Sequence, residues 1–174
     1  MTPREALPAT IATARLVLRA PVMTDLADLV TLANNWQVIE PTAVMPFPYL
    51  EEHGRSFLQR VGDPQSPLAY AIASAGRLIG VVSLKFEPGK RPELGYWLGQ
   101  PHWGQGFAPE AVIGLLDAAR ASDQIPQISA RVLESNPGSI RVLEKAGFTI
   151  EERTHSVVER HRGKPLLIMA WSAA

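Results

Sequence analysis

The chemically suggestive stretch of this 174-residue chain is Glu93 to Ala111, ELGYWLGQPHWGQGFAPEA. Gly104, Gly106 and Ala108 put a small residue at every second position between a strand-like run ending near Leu98 and a helix opening at Pro109. Small side chains let a backbone curl closely round an anion, so that several N–H groups at a helix N-terminus can point at phosphate. A tight strand-to-helix turn whose glycines serve only geometry would have the same composition. Two familiar phosphate loops do not fit. The Walker loop needs Gly-Lys followed by Ser or Thr, whereas Gly106 is followed by Phe107. A dinucleotide fingerprint needs a third glycine, an N-terminal position and an acid about 20 residues on; this run is mid-chain and ends in Ala108.

The elements that must carry this loop can be read from periodicity. Arg15 to Arg19 (RLVLR) alternates as a first strand, with Leu16 and Leu18 on one face, after a loose lead-in over residues 1–12. Thr24 reads as the N-cap of a helix with Leu26, Leu29, Val30 and Ala33 on one side. Pro41 to Pro48 (PTAVMPFP) cannot be a regular helix and reads as a surface loop, and a second helix follows with Gly54, Phe57, Leu58 and Val61 on one face. Strand patterns follow in LAYAIAS, LIGVVSLKF and ELGYWLG. A helix begins at Pro109, with Glu110 complementing its dipole, and a strand covers Gln127 to Leu133. Asn136-Pro137 caps another helix, which Gly147 ends in a left-handed conformation. Phe148 to Val158 and Leu166 to Trp171 form a closing hairpin around His161 to Lys164. No linker divides residues 1–174, which read as a single α/β domain.

Composition narrows the chemistry. Seventeen Lys and Arg balance seventeen Asp and Glu, so no net field steers the chain toward nucleic acid or an anionic membrane, and neither is expected as a partner. There is no cysteine, which excludes disulfides, thiolate metal sites and a catalytic thiol. A charge pair stands near the N-terminus where a signal peptide needs an apolar run, and a cytoplasmic location is expected. His102 reads as a loop residue. His155 and His161 lack an acid partner at ligand spacing, so no metal is expected. The run Glu151 to Lys164 is mixed in sign and reads as solvated.

ELGYWL, WGQGFAPEA and NPGSIRVLEKAGF (Asn136 to Phe148), in that order and with these elements around them, resemble the GNAT N-acetyltransferase superfamily, specifically its RimJ/RimL-type branch of ribosomal-protein N-terminal acetyltransferases. The likeness runs from RLVLR through GVVSL (Gly80 to Leu84) to KAGF and beyond. It implies an α/β (α+β) fold with a central, mixed, mostly antiparallel twisted sheet of about six to seven strands and about four helices. A splayed central strand would hold the cofactor, acetyl-CoA. The family's pyrophosphate loop, Q/R-x-x-G-x-G/A, matches Trp103 to Ala108, so the N–H groups of Gly104, Gln105, Gly106, Phe107 and Ala108 would bind the coenzyme A diphosphate. Trp103 stands where many members have Arg or Gln. ELGYWL matches the splayed strand; Tyr96, Trp97 and Leu98 would line the pantetheine arm, with the Leu98 N–H as oxyanion donor. Asn136 matches a pantetheine contact and Ser139 a serine near the sulfur. Where many members carry a proton-donating Tyr the chain has Leu143, which leaves Ser139, or a water it holds, as the acid.

Amine acylation sets the remaining requirements. An α-amine of pKa about 7.7 to 8.0 is partly neutral at pH 7, whereas a lysine amine near about 10.4 is not. A base therefore helps, and Glu93 is the first choice, with Glu40 beside the proline-rich loop in reserve. A fixed backbone donor on the carbonyl contributes more than the base if it is well aimed. With no cysteine for an acyl-enzyme, direct attack on acetyl-CoA in a ternary complex is the expected route. The acceptor could be a protein N-terminus, an amino acid or a small amine. A non-catalytic acyl-CoA-binding module and a nucleotide-binding domain of another kind are the competing readings, and a homodimer is plausible for the family.

Overall fold

A computed structural model describes residues 1–174. The strands are β1 (Thr10–Ala12), β2 (Val17–Arg19), β3 (Leu68–Ser74), β4 (Arg77–Lys85), β5 (Glu93–Leu98), β6 (Gln127–Leu133), β7 (Thr149–His155) and β8 (Pro165–Ser172). The helices are α1 (Leu26–Ala33), the single turn α2 (Trp36–Ile39), α3 (Glu51–Gln59), α4 (Phe107–Ser122) and α5 (Pro137–Lys145). All eight strands join one sheet in the order β1-β2-β3-β4-β5-β6-β8-β7, and only β5 and β6 run parallel. The sheet thus has more strands, and the molecule one helix more, than the sequence suggests.

Two layers cover the sheet. Val112, Leu115, Leu116 and Ala119 of α4, all 2% exposed or less, pack with Leu94 and Leu98 of β5 and with Leu18, Ile72, Val82 and Ile128 of neighbouring strands. Leu29 and Ala33 of α1 cover the opposite face with Ile39, Tyr49 and Leu58, and Trp97 of β5 joins them. Leu94, Tyr96 and Leu98 therefore look toward α4 and α5, whereas Glu93, Gly95 and Trp97 look toward α1 and α3, as the period of two requires. β4 is buried without a break from Leu78 to Val82 because it is covered on both faces.

Three expectations are corrected. The lead-in is not loose: Leu7 and Ile11 join the core, Tyr70 donates to the Pro8 carbonyl at 2.7 Å, and Arg4 donates to the Ser66 carbonyl at 2.6 Å. Thr24 does not cap the first helix. The carboxylate of Asp25 takes the Val22 N–H at 2.8 Å and both terminal nitrogens of Arg19 at 2.8 and 2.9 Å, a fork that a hydroxyl cannot match. The helix after the glycine loop starts at Phe107, two residues before Pro109, with Gly106 as its N-cap at φ 78°.

Candidate active site at the β5–β6 gap

β5 and β6 pair through Glu93↔Ser129 and Leu94↔Ala130 and no further. Beyond Leu94 the strands part. Gly99 donates to the Ile79 carbonyl across β4, and antiparallel alternation then turns the polar backbone groups of Trp97, Gly95 and Glu93 toward β4. Those of Tyr96 and Leu98 face the gap without a strand partner. Tyr96 and Leu98 thus turn backbone groups toward the gap. Trp97 does not: its backbone is spent on β4 and its side chain on the α1 cluster.

The glycine loop stands at the open end of this gap. The N–H groups of Gly104, Gln105, Gly106, Phe107 and Ala108 have no hydrogen-bond partner in the protein. Five successive donors next to a helix N-terminus form a cradle for a diphosphate. Gly104 and Gly106 sit at φ 72° and 78°, where a side chain is strained, and a Cβ on Gly106 would also press on the Arg15 guanidinium at 3.3 Å. The loop is braced from both sides. The Trp103 indole donates to the Leu98 carbonyl at 2.7 Å, and Gln105 donates to the Pro101 carbonyl at 3.2 Å. Arg15 donates to the Gln105 carbonyl at 2.9 Å and lies 4.3 Å from the centre of the Phe107 ring. Glu110 anchors the same corner, accepting from Thr13 Oγ1 at 2.6 Å and from the N–H and Nε of Arg15 at 2.9 and 2.8 Å. Burial pushes the Glu110 carboxyl up, but these donors outweigh it and hold it below the usual carboxylate value. Arg15 was not legible as a loop residue, since 90 residues separate it from Gln105.

On the α5 side, Asn136 caps its helix by accepting the Ser139 N–H at 3.2 Å, and its amide nitrogen remains without a protein partner. Ser139 Oγ lies 2.7 Å from the Tyr96 hydroxyl. Burial pushes the Tyr96 phenol up in pKa, only partly offset by Ser139, so it stays protonated. Leu143 is 2% exposed and packed in the core, where it moves no proton.

On the α1 side, Glu93 sits at the closed end of the gap, about 16 Å along β5 from Leu98 at the usual strand rise. Its Oε1 accepts from Arg131 Nε at 3.0 Å and its Oε2 has no partner. Gly95, next on that face, is exposed. Glu40 pairs with Lys164 at 3.4 Å, at the end of α2. The hairpin tip, expected to be solvated, is instead docked: His161 is 4% exposed, with Nε2 2.6 Å from the Glu40 carbonyl oxygen. His102 is half-exposed beside Phe107, at the end of a 3-10 turn over Gln100–His102 and not in a loop as expected.

A mixed sheet opened between two parallel central strands, with an N–H cradle at the mouth of the opening, matches the splayed-strand fold that the sequence resemblance implies. The acetyltransferase (GNAT) domain family matches residues 15–149. An uncharacterized N-acetyltransferase p20 of Bacillus licheniformis is 31% identical over 152 residues, covering 82% of this chain and 83% of its own. The chain belongs to the GNAT acetyltransferase family and is an acyltransferase enzyme. Its similarities fall in the RimJ/RimL-type branch. The ribosomal-protein-serine acetyltransferase of Escherichia coli (strain K12) is 33% identical over 84 residues, 47% of each chain. The structure of Mycobacterium smegmatis RimJ, solved in complex with CoA-disulfide, superposes with a TM-score of 0.83 at 22% identity over 97% of this chain and 89% of its own.

Proposed function

We propose that the protein moves the acetyl group of acetyl-CoA to a primary amine by direct attack in a ternary complex. The observation that carries this reading is the β5–β6 gap, ending at five unpaired N–H groups. A coenzyme A diphosphate on Gly104 to Ala108 leaves its pantetheine arm to run into the gap, where the N–H groups of Leu98 and Tyr96 hold the thioester carbonyl and the amides of the arm. Asn136 donates to the arm from the opposite side. Acetyl-CoA supplies an activated acyl group and a good leaving thiol.

The chain's own groups then act in order. A backbone donor fixed by β5 needs no reorganisation as charge develops on the carbonyl oxygen, and such donors are worth about 3 to 4 kcal/mol. The attacking amine gives its proton to water on the α1 face, and Glu93, about 16 Å along β5 from Leu98 with one carboxylate oxygen held by Arg131 and one open, takes it only at the far end of a chain of waters. As the C–S bond breaks, Ser139 gives a proton to the sulfur and recovers one by way of the Tyr96 hydroxyl beside it, which is reprotonated from water so that the phenol ends neutral. The acceptor lies on the α1 face, bounded by α2 and the proline-rich segment. A protein N-terminal amine is the acceptor class favoured by the likeness to the ribosomal-protein-serine acetyltransferase.

Release of free thiol from acetyl-CoA is the direct test, run against peptides of varied N-termini, amino acids, spermidine and aminoglycosides. A peptide with a free N-terminus is expected to be turned over fastest. Replacing Gly106 by Val is expected to weaken acetyl-CoA binding by at least about tenfold, since it adds left-handed strain of about 1 to 2 kcal/mol and a branched side chain at the cradle. Normal calorimetric affinity in Gly106→Val would show that the cradle lies elsewhere.

A further inference from the structure

The segment Asn35 to Met45 is held at both ends by residues that are distant in sequence. At its start the Asn35 side-chain amide donates to Gln100 Oε1 at 2.6 Å, just beyond β5. Farther along, Arg160 reaches in from the β7–β8 connection. Its Nη1 donates to the carbonyls of Ile39 at 3.2 Å and Thr42 at 2.9 Å, and its Nη2 donates to that of Met45 at 2.6 Å. The guanidinium also lies 5.7 Å from the centre of the Trp36 ring. His161 meets the Glu40 carbonyl and Lys164 the Glu40 carboxylate. Pro46 and Pro48 lack the N–H groups that could close a local turn on the Thr42 and Met45 carbonyls, so donors for these come from elsewhere, whereas the Ile39 carbonyl also accepts from the Thr42 N–H and hydroxyl.

Sheet order gives this arrangement its meaning. β6 lies between β5 and β8, and its C-terminal end pairs with the start of β8 through Leu133↔Leu166. The β7–β8 connection is therefore at the open end of the β5–β6 gap. A segment tied to Gln100 on one side and to Arg160 on the other spans that opening, on the face away from α4 and α5. We infer that Arg160 is a positioning residue that fixes the segment bounding the acceptor amine, without touching the coenzyme. The inference rests on the proposed acyl transfer and adds the residue that sets its acceptor side. A planar fork with five donors can hold three carbonyls at once, which a lysine ammonium on a flexible stem cannot do in the same geometry.

Arg160→Lys and Arg160→Met test this with spermidine and a serine-led tetrapeptide as amines, alongside amide hydrogen exchange. Both variants are expected to bind acetyl-CoA within about twofold of the parent, to raise the KM for the amine about tenfold, and to change kcat much less, the signature of lost acceptor positioning. Amides of residues 36–48 are expected to exchange at least about tenfold faster, with β3 and β4 unchanged. Comparable losses of acetyl-CoA and amine affinity, or an unchanged amine KM, would overturn the role. So would unaltered exchange in 36–48. No thiol release by the parent chain with any amine overturns the transfer reading instead, and the exchange measurement tells that outcome apart from loss of the clamp.

Discussion

Leu143 removes a phenol from one position, and Tyr96 brings one to the other side of the same pocket. The Tyr96 hydroxyl, 2.7 Å from Ser139 Oγ, is kept protonated by burial. If the pair protonates the departing thiolate, Ser139→Ala lowers kcat by about tenfold to a hundredfold, at or below the lower end of what a positioned acid contributes. Tyr96→Phe lowers it less, since water can restore the proton to Ser139. Rapid-quench single turnovers at pH 7 separate this step from product release. Equal, unchanged rates in both variants would mean that the thiolate leaves without their help. Trp103 is a second case in which the side chain matters: its indole ties the loop to the Leu98 carbonyl, whereas Arg or Gln at that position in the family pattern carries a different donor.

At the scale of elements, the site depends on where β5 is allowed to lie. Gly80 of β4 stands opposite Leu98, and a Cβ there would collide with the Trp97 carbonyl and come within 3.0 Å of Leu98 Cα. Gly80→Ala must therefore push the end of β5 away from β4 and into the gap. Overpacking of this kind costs about 1 to 3 kcal/mol, to be read from urea unfolding. Because the displaced residues carry the open N–H groups, acetyl-CoA affinity is expected to fall in the same variant. Calorimetry showing full affinity would mean that β4 does not set the position of those donors. The bracing of α4 follows similar logic: Glu110 and Arg15 tie its first turn to the β1–β2 turn, which thereby supports the loop.

For the whole molecule, stability should follow its buried carboxylates. Asp25 is 4% exposed. Burial raises its pKa, but the Arg19 fork and the Val22 N–H lower it more, and the net direction is down. Glu110 shifts the same way. A depressed native pKa contributes stability above the unfolded value, near about 4, and that contribution is lost as pH falls through the native one. Unfolding free energy is thus expected to be level above about pH 5 and to drop below about pH 4. Asp25→Asn should flatten part of that slope and cost about 3 kcal/mol at pH 7, because it leaves Arg19 without its buried partner. Chemical denaturation across pH 3 to 7 checks both, and an unchanged slope in Asp25→Asn would assign the acid sensitivity elsewhere. No helix is long and apolar enough to cross a membrane.

The sequence by itself determined the order of strands and helices from β2 onward, the single turn α2 excepted, together with the anion-ready glycine loop, the Asn136 cap and the absence of any cysteine chemistry. Each of these depends on residue type and on spacing over a few positions, which fix backbone conformation and the face a side chain takes. Tertiary structure decided which faces meet. The gap exists because β5 and β6 part after two register pairs, and no local pattern states where two strands stop pairing. Tyr96 and Ser139 are 43 residues apart, and Arg160 and the carbonyls it holds are 115 to 121 apart. A mixed-sign run such as Glu151 to Lys164 reads as solvated because charge alone carries no address. It becomes a strut because Pro46 and Pro48 leave the Thr42 and Met45 carbonyls in need of donors at the place where the sheet brings Arg160.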